Sequence, residues 1–571
     1  MPQSITHGDA CFAYFNKIWG IPDGMRRRDI VTALGLGAVL SLVCKTRILA
    51  KGAAGNSPLA PSAELLAQVA QYAKSLYPTE RPARSATPPN ESRFIVNAQR
   101  KKQAILGLGC EIQCDGIRSA NQGLDDLAIG VPHDLIPSER VRLYREMLAG
   151  FRYCRLAGGL YLRGMDRQQK YLRPRWPEQF AELREMFSAA RIEGGSFEYW
   201  SPLPYWKANR RYMGDASKPW VWDDPENVLR CFGPHFASDE EYRGDTARFL
   251  RDFAEACKQD LTTLRTAGIP ISFWGLQNEP FTNASYSSCA YTNESYARTF
   301  EAVAPIIRQF DPKITIIADT GVSWDFSYVR SVLNDPSKAH LVDALAIHLI
   351  GVNSNAIRPP VEPSGKSRFN NEFEYLETPA TAARCLNTVQ NVMNWFQLAD
   401  APTWFWLHAL KPLQNTEASG YSLGFWRPLS EAAPEKGAQY PALKPGHWIW
   451  NKYNWNAVGS FVRHLPWNSI SVHVDEVDSS DDDLRIMAFT RPDGKLTVVV
   501  SNRSFASHTF RVSTADTFRV STARSNKSFR GFRYTPEEAG ENCRGIIVGE
   551  LAGPDIAPLV PDLAWEFWEE Q

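Results

Sequence analysis

From about Ala104 to Pro428 the chain alternates short apolar runs with longer amphipathic stretches, the pattern of repeated βα units. Eight runs read as strands: 104–109 (AILGLG), 153–160 (YCRLAGGL), 196–200 (SFEYW), 271–276 (ISFWGL), 314–318 (ITIIA), 344–349 (ALAIHL), 367–372 (SRFNNE) and 403–408 (TWFWLH). The intervening stretches have helical spacing. Residues 245–267 set Phe249, Phe253, Cys257, Leu261 and Leu264 on one face, and Gly268 ends that helix ahead of Ile269-Pro270. Residues 380–399 repeat the pattern with Leu386, Val389, Val392, Met393 and Phe396, and Pro177 is placed to open another helix at its first position. Eight such units predict an α/β fold, a (β/α)8 TIM barrel over residues 104–445.

After Trp448 the texture changes. Residues 470–475 (ISVHVD), 484–489, 495–501, 508–512 and 545–548 are short alternating runs separated by turn residues such as Pro492-Asp-Gly494. They predict a side antiparallel β-sandwich over 446–571, and the run 93–98 (RFIVNA), within 93–103, is expected to add a strand to it. The heptapeptide TFRVSTA occurs at 509–515 and again at 517–523. That is too short for a solenoid and reads as a local duplication that lengthens a hairpin or adds an edge.

The N-terminal region has a different character. Arg26-Arg27-Arg28 precedes an apolar stretch from Ile30 to Val43, shorter than the ~20 residues a membrane-spanning helix needs. It reads as a signal peptide, and Arg27-Arg28-x-Ile-Val resembles the twin-arginine export pattern. Residues 1–54 are therefore expected to be an extension plus signal, with translation starting at Met25, and 55–92 a linker or helical lead-in. The expected destination is periplasmic or extracellular, without stable membrane insertion once the signal is removed.

Composition narrows the function by exclusion. The 571 residues carry 63 basic and 63 acidic side chains, so no charge excess points to nucleic acid. The ten cysteines lack the short paired spacings of a zinc site; Cys110 and Cys114 are the close pair, read as packing residues or one disulfide. No metal or cofactor is expected. Aromatic side chains are abundant (Trp 18, Tyr 20, Phe 29), which suits a cleft where rings stack on sugar faces.

Two carboxylates carry the candidate chemistry. Glu279 lies in WGLQNEP at 274–280 and Glu372 in FNNEFEY at 369–375, each at the end of a short apolar run. A barrel strand delivers its last residue to the active-site face, and paired carboxylates there are the equipment of glycoside hydrolysis. Glu374 is a rival to Glu372, because alternation points both the same way.

The Asn278-Glu279-Pro280 segment resembles the acid/base signature of clan A glycosidases, which are retaining barrel enzymes. With it, Trp200-Ser-Pro-Leu-Pro-Tyr-Trp-Lys207, Tyr286-Ser-Ser-Cys289-Ala-Tyr-Thr292, Gly459-Ser-Phe-Val-Arg463 and the run from Pro492 to Asn502 resemble glycoside hydrolase family 30. That family pairs a (β/α)8 barrel with a side β-sandwich built from both chain ends. The resemblance implies a retaining β-glycosidase acting on a polysaccharide or glycoconjugate, with Glu279 as acid/base after strand four and Glu372 as nucleophile at strand seven. It further implies that Asn278 binds the sugar 2-hydroxyl and that Arg155 holds the nucleophile ionised. His348, Trp200 and Trp406 are candidates to contact substrate. One departure is plain: His348 is followed by Leu349-Ile350, where the family usually has His-x-Tyr. The alternatives are an inert saccharide-binding barrel, and exo- in place of endo-acting cleavage.

Overall fold

The computed structural model describes residues 90–571 except 113–129, 215–223, 284–285, 322–323, 349–361, 374–380, 413–421, 430–442, 478–482, 515–526 and 554. The signal, residues 55–89 of the expected lead-in, Cys114 and Glu374 lie outside the described residues, and the last two lead-in residues, 91 and 92, already belong to a strand. Among the described residues, no helix is long and apolar enough to cross a membrane.

The chain enters on β1 (Glu91–Ile105), which belongs to the side sheet. Eight strands then form the barrel: β2 (Gly107–Glu111), β3 (Tyr153–Gly158), β4 (Gly194–Tyr199), β5 (Ile271–Gly275), β6 (Thr315–Gly321), β7 (Ala344–His348), β8 (Ser367–Phe373) and β9 (Thr403–Pro412). They are parallel neighbours in chain order, and β9 pairs with both β8 and β2, which closes the ring. The eight expected strands are all present. The first is divided differently: Ala104 and Ile105 still pair with Ile470 and Ser469 of the side sheet, and the chain turns into the barrel at Gly107 (φ +147).

Helices α1 (Pro137–Arg142), α2 (Gln179–Ala190), α3 (Thr246–Thr266), α4 (Asn293–Phe310), α5 (Arg330–Asn334), α6 (Ala382–Gln397) and α7 (Lys452–His464) accompany the strands. Asp245 caps α3 by accepting from the Arg248 N–H at 2.9 Å, and Gly268 (φ +79) follows its last turn. Pro177 does not open α2. The turn before the helix already uses its hydrogen bonds, Gln179 N–H to Trp176 O and Arg175 N–H to Gln179 Oε1, so α2 starts two residues later, at Gln179. Inside the barrel, Tyr153, Phe273, Phe369 and Phe405 form an aromatic floor, with ring centroids 4.8 Å apart for Tyr153–Phe273 and 6.1 Å for Phe273–Phe405.

Two short strands, β10 (Ser422–Trp426) and β11 (Trp448–Trp450), extend the barrel sheet beyond β9, and α7 packs on α6 and β10. The barrel body therefore runs to about His464, past the expected boundary at 446. Its tryptophan-rich β11 buries against barrel elements.

The side sheet continues with β12 (Ser469–Glu476), β13 (Leu484–Thr490), β14 (Leu496–Asn502), β15 (His508–Thr514), β16 (Ser528–Tyr534), β17 (Ile546–Ala552), β18 (Leu559–Val560) and β19 (Ala564–Glu570), in spatial order β17-β16-β19-β14-β13-β12-β1-β15-β18. Residues 93–98 do join it, in β1, antiparallel to β12 but parallel to β15. That parallel pair departs from the antiparallel expectation; no hairpin dictates the direction in which β1 arrives. Residues 509–514 of the first TFRVSTA copy fall in β15, and the second copy lies outside the described residues.

Period-two alternation gives the sheet two buried faces. Ile486, Ala488, Val498 and Val500 join Phe94, Val96 and Phe510 in the side domain's own core. Met487, Phe489, Val499, Trp565 and Phe567 face the barrel and merge into its core. Trp565 is fully buried, stacks on Tyr534 and donates its indole N–H to Ser460 of α7 at 3.0 Å. Trp565→Ala should cost about 3–5 kcal/mol of stability, with barrel and side domain unfolding together in calorimetry. A side domain that melts alone while the barrel persists would contradict this shared core.

Candidate functional site

A charged residue in the middle of an apolar strand must find partners within the barrel. Arg155 stands in β3 with no exposed surface, in register with Glu111 of β2. Its guanidinium donates to Glu111 Oε2 at 3.0 Å, to Glu198 Oε2 of β4 at 2.9 and 3.2 Å, and to Glu372 of β8 and the Asn278 side-chain oxygen. One planar fork of donors thereby joins four strands or strand ends. Asn371 donates to the same Glu198 oxygen at 3.0 Å. Gly275 must be glycine here, because a Cβ would sit 2.7 Å from the Glu198 side chain.

Glu279 stands four residues beyond β5 with φ +43, a left-handed conformation unusual for a non-glycine residue. Its neighbours hold it there. The Glu279 N–H donates to Thr320 O at 3.1 Å, the Thr282 N–H donates to Glu279 O at 2.7 Å, and the Thr282 hydroxyl donates to Glu279 Oε2 at 3.2 Å. The preceding Asn278 N–H donates to Tyr199 O at 2.7 Å.

His348 ends β7 in register with Glu372, and its ring is buried. His348 Nδ1 lies 3.2 Å from Glu279 Oε1 and 3.6 Å from Glu372 Oε2. Donor atoms of Glu279, His348 and Glu372 all lie within 4.8 Å of one another. Glu372 is nearly buried, while the Glu279 side chain is 15% exposed and is the more open of the two.

The electrostatics follow from three acids around one cation. Burial pushes the Glu111 carboxyl up to about 8, with Arg155 opposing and Glu372 and Glu198 adding to the rise. Burial works against charge on His348, but the Glu372 and Glu279 carboxylates outweigh it and raise its pKa. His408, 3.9 Å from Glu111, is driven well below its usual range by burial and by Lys411 and Arg155. A cation could contact the Glu279, His348 and Glu372 donors. The guanidinium on Glu372 and an imidazole biased towards its charged form disfavour one there.

The structure thus gathers five of the expected residues: Glu279, Glu372, Asn278, Arg155 and His348. Trp406 is not among them. Alternation turns Phe405 into the barrel and Trp406 outwards, where it is fully buried against Phe373 and Trp404, so its ring offers no face to a sugar. Trp200 is also largely buried, packed with Ala157, Leu160 and Tyr286, and its carbonyl accepts from Gln277 Nε2 at 2.8 Å. It braces the approach to Glu279. Sequence reasoning missed Glu111, Glu198, Asn371 and Thr320. Glu111 and Glu198 did leave a signal: each is a lone acid in an apolar strand run beside the strand of Arg155.

Comparison with known proteins agrees with this architecture. Residues 469–530 match the glycosyl hydrolase family 30 beta sandwich domain. The chain is similar in fold to the glycoside hydrolase family 30 subfamily 8 xylanase Xyn30A from Clostridium acetobutylicum, at 14% identity and TM-score 0.56, over 84% of this chain and 99% of that one. SrfJ from Salmonella typhimurium matches at 14% identity and TM-score 0.58, over 86% and 94% of the two chains. An endo-beta1,6-glucanase matches at 13% identity and TM-score 0.57, over 86% and 95%. No curated protein matches the sequence. In its side domain and its fold the chain resembles family 30 glycosidases, as a divergent relative, and the resemblance supports a glycoside hydrolase.

Glu111 makes a pH prediction. Folded, it keeps its proton up to about pH 8, whereas unfolded it loses it near its ordinary value of 4.5. Unfolding in that window releases a proton, so stability falls as pH rises from about 5 through 8. Glu111→Gln should flatten this decline in denaturant titrations across that range, and an unchanged slope would show that Glu111 does not titrate in the window.

Proposed function

We propose that the protein is a retaining β-glycosidase that cleaves the O-glycosidic bonds of a polysaccharide or glycoconjugate by double displacement. One observation carries the reading: Glu279 and Glu372 present carboxylate oxygens within 4.8 Å of each other at the barrel's active-site end. Retaining enzymes hold their carboxyl groups ~5–5.5 Å apart, whereas inverting ones leave ~6.5–9.5 Å for a water. The spacing favours retention.

The roles follow from the surroundings. Glu372, bonded to Arg155 and buried, is the nucleophile: its oxygen attacks the anomeric carbon as the bond to the leaving oxygen breaks. Glu279, the more open carboxyl, gives its proton to that leaving oxygen and then takes one from the water that displaces Glu372. Asn278, held on Arg155, stands beside the acid/base to bind a sugar hydroxyl. His348 Nδ1 lies 3.2 Å from Glu279 Oε1 and 3.6 Å from Glu372 Oε2, so it bridges the two carboxyl groups. Loops after barrel strands decide the substrate in such folds, and the solved relatives carry different names, a xylanase for one and an endo-beta1,6-glucanase for another. Export by the twin-arginine route, read from Arg27-Arg28, would deliver the enzyme to extracellular glycans.

The test is a panel of aryl β-glycosides and polysaccharides, with product stereochemistry followed by NMR; the β-anomer should form first. Glu372→Ala should lose turnover by about 10⁴-fold or more on every substrate. Glu279→Ala should lose most on poor leaving groups, and azide should rescue it to a β-glycosyl azide. An inert parent protein would leave a saccharide-binding barrel. An α-azide from Glu279→Ala would reverse the two roles.

A further inference from the structure

Asp319 takes no part in the chemistry assigned above, yet it sits where the geometry of Glu279 is decided. It lies near the end of β6, is 3% exposed, and has φ +53. The pairing of β6 with β7 slips between Ala318 and Gly321, so Asp319 falls within a bulge. Three bonds hold that bulge in place. Asp319 Oδ2 accepts from the Tyr328 N–H at 2.9 Å, the Asp319 N–H donates to the Tyr296 hydroxyl of α4 at 3.1 Å, and the Thr320 hydroxyl donates to Gln277 O at 2.7 Å. Gly321 is bare because a Cβ there would meet Asp319 Oδ1 at 3.0 Å.

The consequence falls on the next residue. Thr320 pairs with Asn278 in a lone parallel bridge, and its carbonyl receives the Glu279 N–H. Glu279 is itself left-handed, so two strained non-glycine residues flank that bridge, 279 just after it on one strand and 319 just before it on the other. Such conformations persist only where surrounding bonds over-determine them. Burying a carboxyl to tie down a barrel rim is a costly way to end a strand, and a plain turn would need neither the acid nor the bulge.

From this we propose that Asp319 is a positioning residue for Glu279. Its carboxyl fixes the β6 bulge, the bulge presents the Thr320 carbonyl, and that carbonyl sets the backbone from which Glu279 reaches the leaving oxygen. This rests on the reading of Glu279 as acid/base.

The test compares kcat/KM for phenyl and 2,4-dinitrophenyl β-glucosides and β-xylosides in the parent, Asp319→Ala and Asp319→Asn proteins. A displaced acid slows the phenyl glycoside, which needs protonation, by about 10²-fold. It changes the dinitrophenyl glycoside by less than about 5-fold, since that leaving group departs unprotonated. Asp319→Asn, which keeps one acceptor oxygen, should recover most of the loss. The ratio of the two substrates does not depend on how much protein is folded, so a variant that is merely unstable leaves it unchanged. An unchanged ratio in an active parent overturns the role of Asp319 alone. No turnover of either substrate by the parent overturns the acid/base reading, and the role of Asp319 with it.

Discussion

The guanidinium of Arg155 has more acceptors around it than it can neutralise, and the centre of the barrel is arranged around that imbalance. Glu111, Glu198 and Glu372 converge on it from three strands, and Asn278 from the end of a fourth. The acids cannot all ionise beside a single buried cation. Glu111 answers by holding its proton, and His348 by favouring its charged form. What remains is a site where the charge on Glu372 is supported from beneath by Arg155 and from the side by His348. Deleting the arginine would strand buried carboxylates, a loss of about 3–5 kcal/mol or more, while replacing the cluster by apolar residues could cost nothing in stability. Stability alone therefore does not account for the network.

Rigidity comes from below and from outside. The floor of Tyr153, Phe273, Phe369 and Phe405 fills the barrel, which leaves polar side chains room only at one end. On the outer flank, the side sheet gives one face to its own core and the other to the barrel, through Met487, Phe489, Trp565 and Phe567.

Much of this was legible in the chain. The eight barrel strands, the side domain and a strand at residues 93–98 could be read from hydrophobic period, but the side sheet's spatial order and its parallel β1–β15 pair could not. Glu279, Glu372 and His348 stood out because a polar residue at the end of an apolar run points to the active-site face, whereas Asn278 and Arg155 were singled out by the resemblance to clan A glycosidases. Facing was harder to read. Trp404, Phe405 and Trp406 are alike in type, and only the register with Cys110 shows that Trp406 turns outwards. Glu111 and Glu198 each appear as one acid among apolar letters, without sign of the arginine they share. The bulge at Asp319 was hidden because its cause lies in bonds to Tyr296 and Tyr328, outside its own strand. The move of β11 and α7 to the barrel has the same origin: the tryptophan-rich texture is common to both domains, and only pairing tells them apart.

The placement of β1 between β12 and β15 has a temporal side. Phe94 pairs with Glu476 and also with Val512, so this strand waits for partners that lie roughly 380 and 420 residues downstream. At a synthesis rate of about 5–20 residues per second, its ladder groups stay open for some 20–80 s. Throughout that time the ribosome is building a barrel with adhesive strands of its own. A nascent chain in that state offers an unpaired edge to its neighbours, an exposure whose length is set by chain order and not by the stability of the finished fold.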